Sequence, residues 1–121
     1  MNQQDIQVFQ QYLENCDKKK ILILVHQDPD LDALGSALAL GIQLQKIGYT
    51  IKCFVPERIP EESTFLPQLD LIDRQFPKKY HPDLIIALDC SHFERIREHN
   101  RIDLTVPLIN IDHHFDNSRY G

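Results

Sequence analysis

The chain has 121 residues, 42% of them hydrophobic, a formal net charge of −5 and a pI near 5.6. That is enough apolar material for one core and one domain, and the acidic balance excludes wholesale binding to a nucleic-acid backbone, which needs clustered Lys and Arg. Three scattered cysteines without CxxC spacing fit reduced thiols better than a disulfide framework or a zinc site, and no apolar run reaches the length of a membrane span. The polar start Met1-Asn2-Gln3-Gln4-Asp5 is unlike a signal peptide, so the expected location is cytoplasmic.

Ile6, Phe9, Leu13 and Cys16 recur at helical spacing, which predicts an amphipathic helix over residues 5–17, ending at the solvated run Lys18-Lys19-Lys20. Ile21–Val25 is five aliphatic residues in a row and reads as a strand buried on both faces. A helix is expected over residues 32–47, with Gly48 at its C-terminal end. It is apolar on most of its circumference. It should therefore lie between the sheet and a further layer, and without that layer it would promote self-association into a homo-oligomer.

Thr50–Val55 reads as a second strand closed by Pro56, followed by an irregular, proline-punctuated segment with one short helix after Pro60. Leu84–Leu88 is another buried-strand run, and Ser91 is expected to cap a short helix through Glu98. Val106–Ile111 is the last apolar run, with Pro107 at its start or on a sheet edge. The alternation predicts an α/β fold, a mainly parallel sheet flanked by helices.

Three of these runs end in residues that bind metals: His26 with Asp30 and Asp32, then Asp89, then Asp112, His113 and His114. Parallel strands would bring these ends together at the carboxyl edge, where open α/β sheets bind ligands. Carboxylates and imidazoles without thiolates suit a divalent ion, Mn²⁺ before Mg²⁺ or Zn²⁺, and the surplus of ligands suggests two ions. Two ions about 3.5 to 4 Å apart are a common device for hydrolysing phosphate esters. The plainer reading makes Asp30 and Asp32 turn and helix-capping residues. His81, His92 and His99 read as solvated, Cys90 as a packing residue, and Asp28 has no assigned role.

With His26-x-x-Pro29-Asp30-x-Asp32-Ala33-x-Gly35-Ser36, Asp89-Cys90-Ser91 with Arg95, and Asn110-Ile111-Asp112-His113-His114 with Asn117 and Gly121, the chain resembles the DHH phosphoesterase superfamily. Its wording is closest to the oligoribonuclease and pAp phosphatase branch. The resemblance implies one metal on His26, Asp30 and Asp89 and another on Asp32, Asp89 and His113, with Asp89 shared. It implies Asp112 as the residue that orients a ligand, His114 as donor to the substrate phosphate, and Ser36 and Asn117 beside the substrate.

The resemblance further implies that residues 1–121 are the front part of a two-domain enzyme, lacking a later metal-binding aspartate and a C-terminal substrate-binding domain. The expected activity is manganese-dependent hydrolysis of short single-stranded oligonucleotides, pAp or similar small phosphates. The alternatives are a pyrophosphatase or exopolyphosphatase, or a metal-binding chain without turnover.

Overall fold

A computed structural model describes residues 1–55 and 59–121. Pro56, expected to close the second strand, lies outside the described residues. The elements are α1 (Gln3–Glu14), β1 (Lys20–Val25), α2 (Leu31–Lys46), β2 (Thr50–Phe54), β3 (Ile72–Asp73), β4 (Leu84–Leu88) and β5 (Leu108–Ile111), with short 3-10 turns between them. The strands form one all-parallel sheet in the order β3-β2-β1-β4-β5. The expected α/β class is borne out.

The aliphatic runs explain the centre of this sheet. A strand flanked on both sides by parallel neighbours buries both of its faces, so it needs apolar residues at every position rather than at alternate ones. Ile21 to Val25 and Leu84 to Leu88 meet that demand and are all buried. On one face Ile21, Ile23, Ile51, Cys53, Leu84 and Ile86 pack under Ala33, Leu34, Ala37 and Leu38 of α2. On the other, Leu22, Leu24, Phe54, Ile85 and Ala87 are covered by Ile96, Ile102 and flanking aromatics from irregular chain. Pro107 precedes the edge strand β5, where its missing N–H breaks no ladder bond, and its carbonyl accepts from Ile85 N (2.9 Å).

Helix α2 starts one residue earlier than its pattern suggests because Asp30, not Asp32, is the cap: its Oδ1 accepts from Ala33 N at 2.9 Å. Gly48 follows the helix at φ +104°, a conformation that costs glycine nothing. The buried stripe is Ala33, Leu34, Ala37, Leu38, Gly41 and Leu44, with Leu40 and Ile42 half-buried against the core. The 3-10 turns at Glu61–Ser63 and Leu69–Leu71 lie along its flank.

Two expected helices differ. Helix α1 ends at Glu14, three residues short, and Cys16 is buried in the turn beyond it. None of its residues is fully buried. A reciprocal Asn2–Asp5 capping box, the half-buried Phe9 and Leu13, and a Tyr49 hydroxyl donating to Leu13 O (2.9 Å) hold it in place. The helix expected from Ser91 to Glu98 is instead two 3-10 turns, Phe93–Arg95 and His99–Arg101, separated by Glu98 at φ +67°. Ser91 Oγ bonds His92 Nδ1 (2.9 Å) rather than capping a helix.

Candidate phosphoesterase site

Sheet register assembles the site. Val25 pairs with Leu88 and Leu88 with Ile111, so the next residues on three adjacent strands, His26, Asp89 and Asp112, emerge side by side at the carboxyl edge. Asp89 leaves β4 at φ +53°, a left-handed conformation that aspartate tolerates better than branched residues, while its N–H still bonds Ile111 O at 3.0 Å. The ladder thus reaches as far as Asp89 itself.

Asp89 is the hub. Its side chain is 7% exposed and faces three imidazoles: Oδ2 lies 3.7 Å from His26 Nε2, and Oδ1 lies 3.0 Å from His113 Nε2 and 3.7 Å from His114 Nδ1. His26 Nδ1 is 2.6 Å from Gln27 O, which fixes the tautomer with Nδ1 as donor and leaves the Nε2 lone pair pointing into the site. Asp30 adds a carboxylate oxygen, so that His26, Asp30 and Asp89 offer ligand atoms within 4.8 Å of one another. The capping reading of Asp30 is met by its bond from Ala33 N, and the same carboxylate lies within reach of His26 and Asp89.

The second grouping within 4.8 Å is Asp89, His113 and His114. Asp32 reaches it through His113, whose Nε2 is 3.3 Å from Asp32 Oδ2. The His114 atom nearest Asp89 is its Nδ1, and that atom is engaged by Asp112 Oδ1 at 2.5 Å. Burial alone would raise the Asp112 carboxyl, but hydrogen bonds from Asn117 and His114 outweigh it and hold the group below its ordinary range. The same contact lifts the His114 imidazole above its ordinary value.

Asn117, expected beside the substrate, turns its amide nitrogen to Asp112 Oδ2 and Asn110 Oδ1, both at 2.7 Å. Asn110, which the motif includes without a role, ties β5 to the end of β4 by donating to Cys90 O (3.2 Å) and to the Tyr120 hydroxyl (3.1 Å). Tyr120 in turn donates to Cys90 O at 2.8 Å. No spacing in the sequence signals this triangle. Ser36 lies in the second turn of α2 on a cleft of about 740 Å³ that also takes in Asp32, Asp89, Asp112 and His113.

The remaining candidates lie apart. Asp28 is exposed at φ +53° in the turn after β1, a turn residue. His81 is exposed, whereas His92 and His99 are half-buried and bonded, His99 Nδ1 to Ile96 O at 3.1 Å, so these two are not solvated as expected. Cys53 and Cys90 are buried thiols, and burial pushes Cys53 up to about 12, the inert form of a cysteine. No helix among the described residues is long and apolar enough to cross a membrane.

The donor set fits divalent ions. A buried carboxylate faces the imidazoles of His26 and His113 with no lysine or arginine bonded to it among the described residues, a set of oxygen and nitrogen donors suited to a divalent ion. A parallel α/β sheet carrying such a cluster at its carboxyl edge has the form of a metal-binding α/β domain with its candidate site where such sheets bind ligands. Residues 20–120 match the DHH family, N-terminal domain, and the chain belongs to that family.

It is similar to the bifunctional oligoribonuclease and PAP phosphatase NrnA of Thermus thermophilus, at 32% identity over 105 residues, covering 84% of this chain and 30% of that protein. It is also similar to the crystal structure of an exopolyphosphatase-related protein from Bacteroides fragilis. There the TM-score is 0.81 and the identity 32%, over 94% of this chain and 36% of the other. The chain thus spans about a third of the length of these relatives.

Proposed function

We propose that this domain hydrolyses phosphate esters of short oligonucleotides, pAp or similar small phosphates, using two divalent ions, Mn²⁺ in preference to Mg²⁺. His26, Asp30 and Asp89 would hold one ion and Asp32, Asp89 and His113 the other. When bound, the ions supply an activated water and stabilise charge on the phosphate. The observation that carries this reading is the buried Asp89 carboxylate facing His26 on one side and His113 on the other.

The chain's own groups act around that centre. Asp112, fixed by Asn117, holds His114 by Nδ1 and favours its protonated form. The other ring N–H is then available to donate to a phosphate oxygen as negative charge grows there. Ser36 presents a hydroxyl on the same cleft, one turn into α2. Asn117 serves the substrate through Asp112, by positioning the acid that positions His114.

The nucleotide reading is supported by the likeness to the Thermus NrnA, and a pyrophosphatase or exopolyphosphatase reading by the Bacteroides relative. Product release from pAp, a dinucleotide, pyrophosphate and tripolyphosphate in Mn²⁺ separates them. Faster turnover of pAp and the dinucleotide is expected. Faster turnover of the inorganic substrates would replace the reading with its alternative, and binding of Mn²⁺ without turnover would reduce it to a metal-binding chain.

A further inference from the structure

A second cleft of about 740 Å³ opens on the face of the sheet opposite α2, lined by Phe54, Arg74, Phe76, Lys78, Lys79 and Arg101, with Glu98 beside Arg101. Its sign opposes that of the chain. Four cations meet one carboxylate among the described lining residues, in a protein of net charge −5. Glu98 is committed to Arg101 at 2.8 Å, whereas Arg74, Lys78 and Lys79 have no side-chain partner among the described residues. Concave walls focus the field of such unneutralised charges.

The cleft reaches the carboxyl edge of the sheet, where the candidate metal centre also lies, at Phe54, the last residue of β2, and Arg74, which follows β3. Lys78 and Lys79 continue along the crossover towards Tyr80, whose hydroxyl donates to Ile21 O and Thr50 O, and Arg101 lies within the β4–β5 crossover. The β4–β5 crossover is tied to the loop carrying His26 by Gln27 N donating to Arg95 O at 2.7 Å. Because β1, β2 and β3 are neighbours, the lateral offset from His26 to the end of β3 is about 10 Å, the rise of about three stacked nucleotides.

The floor is aromatic. Phe76 stands edge-on to Phe54 with centroids 5.3 Å apart, and the Arg101 guanidinium lies 5.0 Å from the Phe76 ring centroid. A guanidinium packed on a ring leaves its outer face for a base, while flexible lysines suit phosphates, the combination that grips single strands without reading sequence.

We infer that this cleft is a second binding site, which holds the phosphates and a base of a single-stranded oligonucleotide whose end lies at the metal centre. The inference rests on the proposed phosphoesterase reading and adds a length preference to it: substrates of several nucleotides engage both sites, and pAp engages one.

Fluorescence anisotropy of a labelled pentanucleotide in EDTA tests the cleft apart from the metals, so that failure of the metal centre, read separately from Mn²⁺ titration, does not mask its outcome. Three phosphate contacts on a single strand give a salt slope of about −2, or about 20-fold weaker binding at 200 mM than at 50 mM salt. The R74E/K78E/K79E variant should lose at least ~10-fold in affinity at 50 mM and most of the salt slope, with Mn²⁺ binding and circular dichroism unchanged. R74Q/K78Q/K79Q should lose less and serves if charge reversal perturbs the fold. Parent-like affinity and slope in a folded variant would overturn the inference, and so would displacement of the pentanucleotide by an equally charged polyphosphate at the same concentration.

Discussion

His113 Nε2 lies 3.0 Å from Asp89 Oδ1, joining the chain after β5 to the end of β4. The two partners differ in freedom, since the His113 side chain is 73% exposed and that of Asp89 is 7% exposed. A ligand set that includes exposed His113 and Asp32 loses more conformational freedom on binding than one built on His26 and Asp89. His113→Ala should therefore abolish the weaker Mn²⁺ site while leaving the tighter one. Isothermal titration would show one remaining equivalent; loss of both would place His113 in the tight site.

His114→Ala should leave Mn²⁺ affinity within a few-fold of the parent and lower phosphodiester turnover by on the order of 10² to 10³, the range for one electrostatic donor. The reason is that its Nδ1 already belongs to Asp112. Equal losses of metal and turnover, measured on the same preparations, would make it a ligand.

The Asp112–His114 pair also sets a pH dependence. The folded His114 is raised above 6.5 by its hydrogen bond to Asp112, so its contribution is full below 6.5 and is lost as pH rises through the folded value. For Asp112, burial is outweighed by its hydrogen bonds and the folded group is lowered below 3.8, so its contribution is present above 3.8 and lost as pH falls through the folded value. In EDTA, the gap in Tm between parent and His114→Ala should be widest between the two ordinary values, 3.8 and 6.5, and shrink as pH rises through the raised His114 value. Melting curves across that range would show it; a gap that does not change with pH would contradict the pairing.

Tyr120→Phe removes the hydroxyl that donates to Cys90 O and accepts from Asn110. Leaving Asn110 with its other partners, the change should cost about 1 kcal/mol of stability. Urea denaturation would register it as a lower midpoint at unchanged slope. A midpoint equal to the parent's would mean that the triangle adds nothing to the join between β4 and β5.

The parts of this fold legible in the sequence are those encoded by contiguous residues. Five aliphatic residues before His26 and five before Asp89 can only satisfy a strand with two covered faces, and parallel register then brings His26 and Asp89 together. The segment 91–101 was misleading because Ser91, Glu94 and Arg95 sit at helix-like spacing, while a left-handed Glu98 and the burial of Ile96 and Ile102 impose tight turns. Cys16 fits the period of α1 yet belongs to the turn that feeds β1, so periodicity alone extended the helix too far. The Asn110–Tyr120–Cys90 triangle and the basic cleft join residues distant in sequence, and no local pattern announces either.

The central claim is that Asp89 is the ligand common to two divalent ions, and Mn²⁺ titration followed by electron paramagnetic resonance, on the parent and on Asp89→Asn, tests it most directly. The neutral amide keeps the shape of the side chain but removes the charge that faces His26 and His113. The parent should bind one Mn²⁺ tightly and a second more weakly, and the variant should bind neither at concentrations that saturate the parent's tight site. An Asp89→Asn protein that retains either ion with the parent's affinity would contradict the account.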